Sequence, residues 1–152
     1  MYKQILVPLD GSRTSERGLR EAISLARSLG SRLSLLHVID AYPMFDERAA
    51  AVAFLQSMDL LRSQGKELIA KAAQQAEAQG LPVACQLREA IGERAAHVIV
   101  EEAAKQGCDL IVMGTHGRRG VNRLLMGSDA ELVLRNSAVP VLMVRDAEPE
   151  AR

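Results

Sequence analysis

Short aliphatic and β-branched segments alternate along this chain with longer segments of helical periodicity, and that alternation limits the fold more than any other feature. Five such segments are predicted strands, at residues 3–9, 32–39, 83–87, 109–113 and 139–144. Their composition is typical of strands buried on both faces of a parallel sheet. Parallel neighbours need a covering crossover, so the order βαβαβαβαβ predicts an α/β fold. We predict a single open, mostly parallel five-stranded sheet with helices on both faces, Rossmann-like, with strand order 3-2-1-4-5.

The helical segments carry recognisable start and stop signals. The first repeats apolar residues about every 3.6 positions between an N-cap candidate, Ser12, and a closing Gly30. The second covers residues 46–79, and Gly65 could mark a break in it. Its apolar first third, residues 49–61, fits a mobile flap, a partner surface or more helix. The third and fourth helices are predicted at residues 91–107 and 128–135.

Size and charge limit the classes of partner. The 152 residues fit one domain of common size, which we place at residues 1–146, with a frayed tail at residues 147–152. Nineteen Lys and Arg residues balance nineteen Asp and Glu residues, so the net charge gives no reason to expect nucleic acid or a membrane as a partner. Aromatic residues make up 3% of the chain, too few for the stacking platforms that bind single-stranded nucleic acid.

The two cysteines and the N-terminus carry weak signals. Cys85 and Cys108 lie in or beside apolar segments without Cys-x-x-Cys spacing, so we predict small core residues rather than a metal site. The N-terminal apolar run reaches a polar turn after about seven residues, which is too short for a signal peptide core. No apolar stretch approaches the ~20 residues of a membrane span. A cytoplasmic location is therefore the default prediction.

The loop after the fourth predicted strand contains a spaced glycine motif, Gly114-x2-Gly117-x9-Gly127-Ser128. Glycines allow the backbone N–H groups to approach an anion, and Gly127-Ser128 can open a helix with a positive N-terminus. The charged side chains within the loop are all arginines, which suits binding of a phosphorylated small molecule. For each arginine, a solvent-exposed position in a basic loop is the competing interpretation. In open sheets of this kind, ligands bind beyond the carboxyl ends of the strands where the crossovers diverge. That rule places residues 8–12 opposite this loop.

With these motifs the chain resembles the universal stress protein family, in its ATP-binding branch, over nearly its whole length. The likeness runs from ILVPLDGS through DLIVMGTHGRRG to PVLMVR, and the family's nucleotide motif is Gly-x2-Gly-x9-Gly-(Ser/Thr). The resemblance implies an ATP site with Mg²⁺ or Mn²⁺ accompanying the phosphates. The adenosine side would be formed by Pro8, Leu9, Asp10, Val38, Met113 and Gly114. The phosphate side would be formed by Gly117, Arg118, Gly127, Ser128, Asp129 and Ala130.

Several site residues have competing interpretations. Asp10 suits a ligand role through its carboxylate, but Asp10-Gly11-Ser12 also fits a turn and helix cap. His116 could donate to phosphate or act as a base, or only its backbone could matter. Asp129 replaces the small apolar residue that often follows the family's Gly-Ser pair, so it would repel a phosphate or hold a divalent cation. His37 is predicted to be packed and hydrogen-bonded, and His97 to lie on a helix surface.

The sequence therefore predicts an ATP-binding regulatory protein of the universal stress type that responds to cellular stress through nucleotide occupancy. Its edge strand, Val139 to Val144, would pair with a second copy in a homodimer. The chain has no Walker A lysine pattern and no Ser-His-Asp order, so a dedicated enzyme is disfavoured. Slow ATP hydrolysis and a nucleotide-independent dimeric interaction module are the alternatives. A response regulator receiver is disfavoured because Leu87-Arg88 supplies no acceptor aspartate.

Overall fold

The structure is a computed structural model, and it describes residues 1–41, 51–116 and 125–146. Within these residues the chain forms five strands and four helices in strict alternation. The sheet order β3-β2-β1-β4-β5, with every pair parallel, confirms the predicted fold class and strand order. The predicted tail at residues 147–152 lies outside the described residues. The elements are β1 (Gln4–Pro8), α1 (Arg13–Leu29), β2 (Arg32–Asp40), α2 (Ala51–Glu77), β3 (Val83–Ala90), α3 (Ala95–Lys105), β4 (Leu110–Gly114), α4 (Ser128–Asn136) and β5 (Val141–Val144).

The sheet is covered on both faces, which explains its apolar strands. Helices α1 and α2 pack on one face, where Ile5, Val7 and Leu9 of the β1 segment meet Leu19 of α1 and Ile69 of α2. Helices α3 and α4 pack on the other face, against Leu6 and Ile111 among others. Alternate residues of β1 and β4 thus serve opposite cores. The divergence of the two crossovers lies between β1 and β4, as the strand order predicted.

Some helices and strands begin or end at other residues than the sequence predicted, and a local contact or backbone angle explains each difference. Strand β3 continues three residues beyond the predicted end, because it pairs with β2 as far as Asp40 and Ala90. Strand β5 starts at Val141, two residues late, since the Val139 N–H donates to the Ser137 hydroxyl at 3.2 Å. Helix α3 starts at Ala95 rather than at residue 91, because Gly92 has a φ of 71°, outside the helical region.

Helix α2 is continuous through Gly65, so the glycine does not mark a break. A Cβ atom on Gly65 would lie 2.8 Å from the His37 ring and 2.9 Å from Leu87, and the missing side chain lets α2 approach the sheet. Residues 51–61 belong to this helix, whereas residues 42–50 lie outside the described range. Within the described part of the chain, no helix has both the length and the apolar character that crossing a membrane requires.

The two cysteines occupy different environments. Cys108 is buried, as predicted, and its burial raises the pKa of the thiol to about 11. Cys85 is exposed, so the prediction of a core position was wrong for this residue. The reason is that β3 is an edge strand in which only some side chains reach the core.

Candidate functional site

The chain leaves β1 along a fixed path. Beyond the end of the strand, the Leu9 N–H donates to the Leu36 carbonyl at 2.7 Å, and the Leu9 carbonyl accepts a hydrogen bond from His37 Nδ1 at 2.7 Å. The His37 side chain thus satisfies the first backbone carbonyl beyond the end of β1. The prediction that His37 is packed and hydrogen-bonded is confirmed, and His97 is exposed on α3 as predicted.

The turn after Leu9 is held by its own side chains. Asp10 Oδ1 accepts a hydrogen bond from the Ser12 N–H at 2.9 Å, and Gly11 takes a φ of 81° between them. Ser12 is the N-cap of α1, because its hydroxyl accepts from the Ser15 N–H at 3.2 Å. Asp10 therefore shapes the turn with one carboxylate oxygen. Its Oδ2 accepts no hydrogen bond from the described residues, and a ligand role for Asp10 remains a prediction.

The start of α1 is joined directly to the end of β4. The Thr14 hydroxyl donates to the His116 carbonyl, and the Ser12 hydroxyl lies 3.4 Å from the same oxygen. A Cβ atom on Gly114 would lie 2.6 Å from Thr14 Oγ1 and 2.7 Å from the Thr14 carbonyl carbon. The absence of a side chain at Gly114 thus serves the approach of α1 to β4. The sequence predicted a tight turn and a ligand contact for this glycine, but not this contact between a helix and a strand.

The His116 ring is engaged within the protein on both sides. Its Nε2 lies against the Leu125 carbonyl, which can only accept, so Nε2 carries the proton. Its Nδ1 then accepts from the Thr115 hydroxyl at 2.9 Å. A role as general base would require the Thr115 hydrogen bond to break. A contact between His116 and phosphate remains a prediction.

Helix α4 begins beside this junction. The Gly127 N–H donates to the Thr115 carbonyl at 2.8 Å, which fixes the helix start against the end of β4. Gly127 is the N-cap and has no side chain with which to cap the helix. The first helical hydrogen bond is the Glu131 N–H to the Gly127 carbonyl at 3.0 Å. The N–H groups of Ser128, Asp129 and Ala130 precede it, so they have no acceptor within the helix.

Arg94 joins this helix start from α3, and sequence reasoning missed it. Its Nη2 donates to the Ser128 hydroxyl at 2.8 Å and lies 3.4 Å from Asp129 Oδ1. Asp129 is thus ion-paired, an arrangement that neither interpretation of its carboxylate included. Arg94 and Ser128 are 34 positions apart, so no local motif links them. Asp129 itself could have indicated such a partner, because a carboxylate beside a predicted anion site is stabilised by a nearby positive charge.

Apolar side chains, most of them buried, lie between the two sets of loops. Val38, Met113 and Ala130 all border the core cluster beneath α3 and α4. Pro8 faces the same side, because side chains alternate along β1 and Leu6 belongs to that cluster. The side chain of Leu9 packs on the opposite face, under α1.

The structure therefore brings together eleven of the thirteen predicted residues at one edge of the sheet. Gly117 and Arg118 lie outside the described residues, as do Arg119 and Arg123. Among the residues that are described, no group of three or more His, Cys, Asp or Glu side chains is placed to hold a metal ion. A groove of about 690 Å³ lies elsewhere, between α1 and α2, and its lining includes Arg20 and Arg27 but none of these residues.

Comparison with known proteins identifies the kind of chain to which this site belongs. The universal stress protein family model matches residues 1–145. A universal stress protein of Methanocaldococcus jannaschii is 36% identical over 150 residues, 99% of this chain and 86% of that protein. A solved family member from Burkholderia pseudomallei is 34% identical with a TM-score of 0.78, over 95% of this chain and 97% of that one. The universal stress protein of Archaeoglobus fulgidus, solved with dAMP, is 23% identical with a TM-score of 0.65, over 95% and 98% of the two chains.

Proposed function

The chain belongs to the universal stress protein family, and we propose that it is a regulatory protein that binds ATP at the carboxyl edge of β1 and β4. One observation carries the proposal: the uncapped start of α4 is held beside the ends of these two strands. Free N–H groups at a helix N-terminus suit phosphate, and the switch point of an open parallel sheet suits a nucleotide. The bound state would then be read by a partner in the response to cellular stress.

The described residues fit the parts of an adenine nucleotide. Val38, which is only partly buried, offers an apolar side chain against which a base can pack. The Oδ2 atom of Asp10 can accept a hydrogen bond from a ribose hydroxyl. The first-turn N–H groups of Ser128 to Ala130 can donate to phosphate oxygens, and ATP would bring Mg²⁺ or Mn²⁺ with it. Gly117 and Arg118 complete the proposed phosphate side from the loop outside the described residues.

Two further considerations support an adenine nucleotide. The chain carries the complete Gly114-x2-Gly117-x9-Gly127-Ser128 motif in its sequence. A protein of the same fold, that of Archaeoglobus fulgidus, was solved with dAMP. We extend this to ATP because the α4 N-terminus and Arg94 offer donors for more than one phosphate group.

Binding rather than catalysis is the proposed role. Both ring nitrogens of His116 are engaged, and Asp10 uses one oxygen to hold its own turn. Neither residue is therefore set up as an efficient base for attacking water. Slow hydrolysis of bound ATP is the second candidate, and a nucleotide-independent interaction module is the third. Release of phosphate from ATP at a rate that tracks site occupancy would favour the second.

The test of ATP binding is calorimetric titration of nucleotide-free protein with ATP and with GTP, with and without Mg²⁺. We expect saturable ATP binding, and we expect Gly117→Val to weaken it by about tenfold or more because a side chain would occupy the path of the phosphate. Arg118→Ala should weaken binding less, since the proposed cradle holds the phosphate mainly through backbone N–H groups. Equal tolerance of both substitutions would contradict a backbone cradle. A folded sample that binds no nucleotide would favour the interaction module.

We also propose a homodimer formed through β5. The Pro140 and Val144 carbonyls both accept from β4, so the even-numbered residues of this segment face β4. The N–H groups of Val141 and Met143 therefore point outward, away from the sheet, where a second copy can pair with them. Val141→Pro removes an outward donor without breaking the β4 ladder.

We expect Val141→Pro to be monomeric in light scattering while the wild-type chain is dimeric, with unchanged far-UV circular dichroism. Leu142→Pro is the matched variant, because its N–H faces β4 and its loss should lower stability as well. A Val141→Pro dimer would rule out strand pairing. A cytoplasmic location is also part of the proposal, and cell fractionation tests it.

A further inference from the structure

Arg94 occupies a place from which one side chain spans two helices. It is the residue before α3, with extended backbone angles of φ −80° and ψ 142°, and it makes no side-chain cap for α3. Its guanidinium instead crosses to the start of α4, where Nη2 meets the Ser128 hydroxyl at 2.8 Å and Asp129 Oδ1 at 3.4 Å. A permanent positive charge thus lies beside the N–H groups of the first α4 turn, which have no acceptor within the helix.

The guanidinium is only partly used in this arrangement. Both of its contacts involve Nη2, whereas Nε and Nη1 donate to no described residue. Three of its five N–H bonds therefore have no acceptor among the described residues, and these are enough for a bidentate contact with a phosphate. The contact with Asp129 is long, and the side chains of Arg94 and Asp129 are 43% and 38% exposed. Partly exposed ion pairs of this kind contribute little to stability, so the guanidinium can shift toward an incoming phosphate.

We propose that Arg94 binds the phosphate chain of the nucleotide directly and makes the site select phosphorylated ligands over the bare nucleoside. This inference rests on the proposed function and adds a residue from outside the glycine motif. Asp129 holds the guanidinium at the start of α4 when no ligand is bound. Binding then shifts the unused nitrogens of Arg94 onto phosphate oxygens, while the charge of Asp129 stays compensated.

The test measures the affinities of ATP and adenosine for Arg94→Ala and Arg94→Lys. Arg94→Ala should lose about tenfold in ATP affinity, the effect of losing a charge-assisted hydrogen bond, and should bind adenosine within about twofold of wild type. Its ATP affinity should also depend less on salt concentration, because one charge–charge contact is gone. Arg94→Lys should recover part of the loss, since lysine keeps the charge but not the bidentate geometry.

Arg135→Ala is the matched control. Arg135 lies on α4, the helix that carries Asp129. Its pair with Glu131 is more exposed than the pair of Arg94 with Asp129, with side chains 71% and 52% accessible. This variant removes the same charge from the far end of α4 and should bind ATP as wild type does. Thermal unfolding of both variants checks that they are folded, because neither arginine is buried.

A second background separates direct contact from charge compensation. If Arg94 binds phosphate, Arg94→Ala still costs ATP affinity when Asp129→Ala is already present. If the loss vanishes in that background, Arg94 only neutralises Asp129 and the inference is wrong. Wild-type ATP binding with an unaffected Arg94→Ala variant overturns this inference alone. Wild-type protein that binds neither ATP nor adenosine overturns the proposed function and this inference together.

Discussion

Gly114→Ala is expected to lower the free energy of unfolding by about 3 kcal/mol, at the upper end of the overpacking range. The added Cβ atom would lie 2.6 to 2.8 Å from three atoms of Thr14, one of them in the backbone. Relief requires α1 to move away from β4 or the Thr14–His116 hydrogen bond to break. Each kcal/mol corresponds to about 2–4 °C for a domain of this size, so the melting temperature should fall by roughly 6–12 °C without any nucleotide present.

Gly18→Ala is the control for this prediction. Gly18 faces Gly114 from within α1, but its added Cβ atom would lie at 3.5 to 3.7 Å from β4, an ordinary contact distance. Alanine is favoured over glycine inside a helix by about 0.5–1 kcal/mol, so this variant should be as stable as wild type or more so. A Gly114→Ala variant that keeps its melting temperature and loses only ATP binding would show that the glycine serves the ligand alone.

The general architecture could be predicted from sequence because its signals are local. Local sequence alone favours each of three features: the aliphatic strands, the Ser12 helix cap and the Gly30 helix end. All three are present in the structure. The place of the candidate site follows from the strand order, since an open parallel sheet offers one crevice at its switch point. That is why residues named from two distant loops meet at one edge.

The contacts that could not be predicted join residues far apart in sequence. Gly114 meets Thr14, Gly65 meets His37, and Arg94 meets Asp129. The spacing of apolar residues does not indicate which helix will approach a given strand. A glycine is therefore interpreted as a turn or a helix break until the element that packs against it is known. The C-terminal half of β3 was missed for a related reason. Its polar residues, Arg88 and Glu89, are compatible with a strand because each finds an opposite charge on a helix.

Of these helix–strand ion pairs, the one that anchors α3 is the most buried. Glu102 is 0% exposed, and its two oxygens accept from Arg88 of β3 and from Gln106 Nε2, the latter at 2.8 Å. A buried carboxylate with both oxygens paired is tolerated, but removal of its cation leaves a charge without compensation. Arg88→Ala should therefore destabilise the fold by about 3 kcal/mol, measured by urea unfolding.

Arg62→Ala provides the comparison. Arg62 makes a similar pair between α2 and Glu89 of β3, but the two side chains are 40% and 29% exposed. Its loss should cost much less than the loss of Arg88, because water can solvate the remaining carboxylate. Equal losses for the two variants would mean that burial of Glu102 is not what makes its pair important. The double variant Arg88→Leu with Glu102→Leu should recover much of the stability, since apolar side chains replace a buried pair without an orphaned charge.

Arg88 and Arg94 together separate the anchoring of α3 from ligand binding. Both arginines pair with carboxylates, but Arg88 holds the buried face of α3 on the sheet, whereas Arg94 projects from its start to the candidate phosphate site. Below its melting temperature, Arg88→Ala should keep its ATP affinity within about twofold of wild type despite its lower stability. Arg94→Ala should keep its stability and lose affinity. If both variants lost ATP affinity in proportion to their loss of stability, both arginines would affect binding only by stabilising the fold.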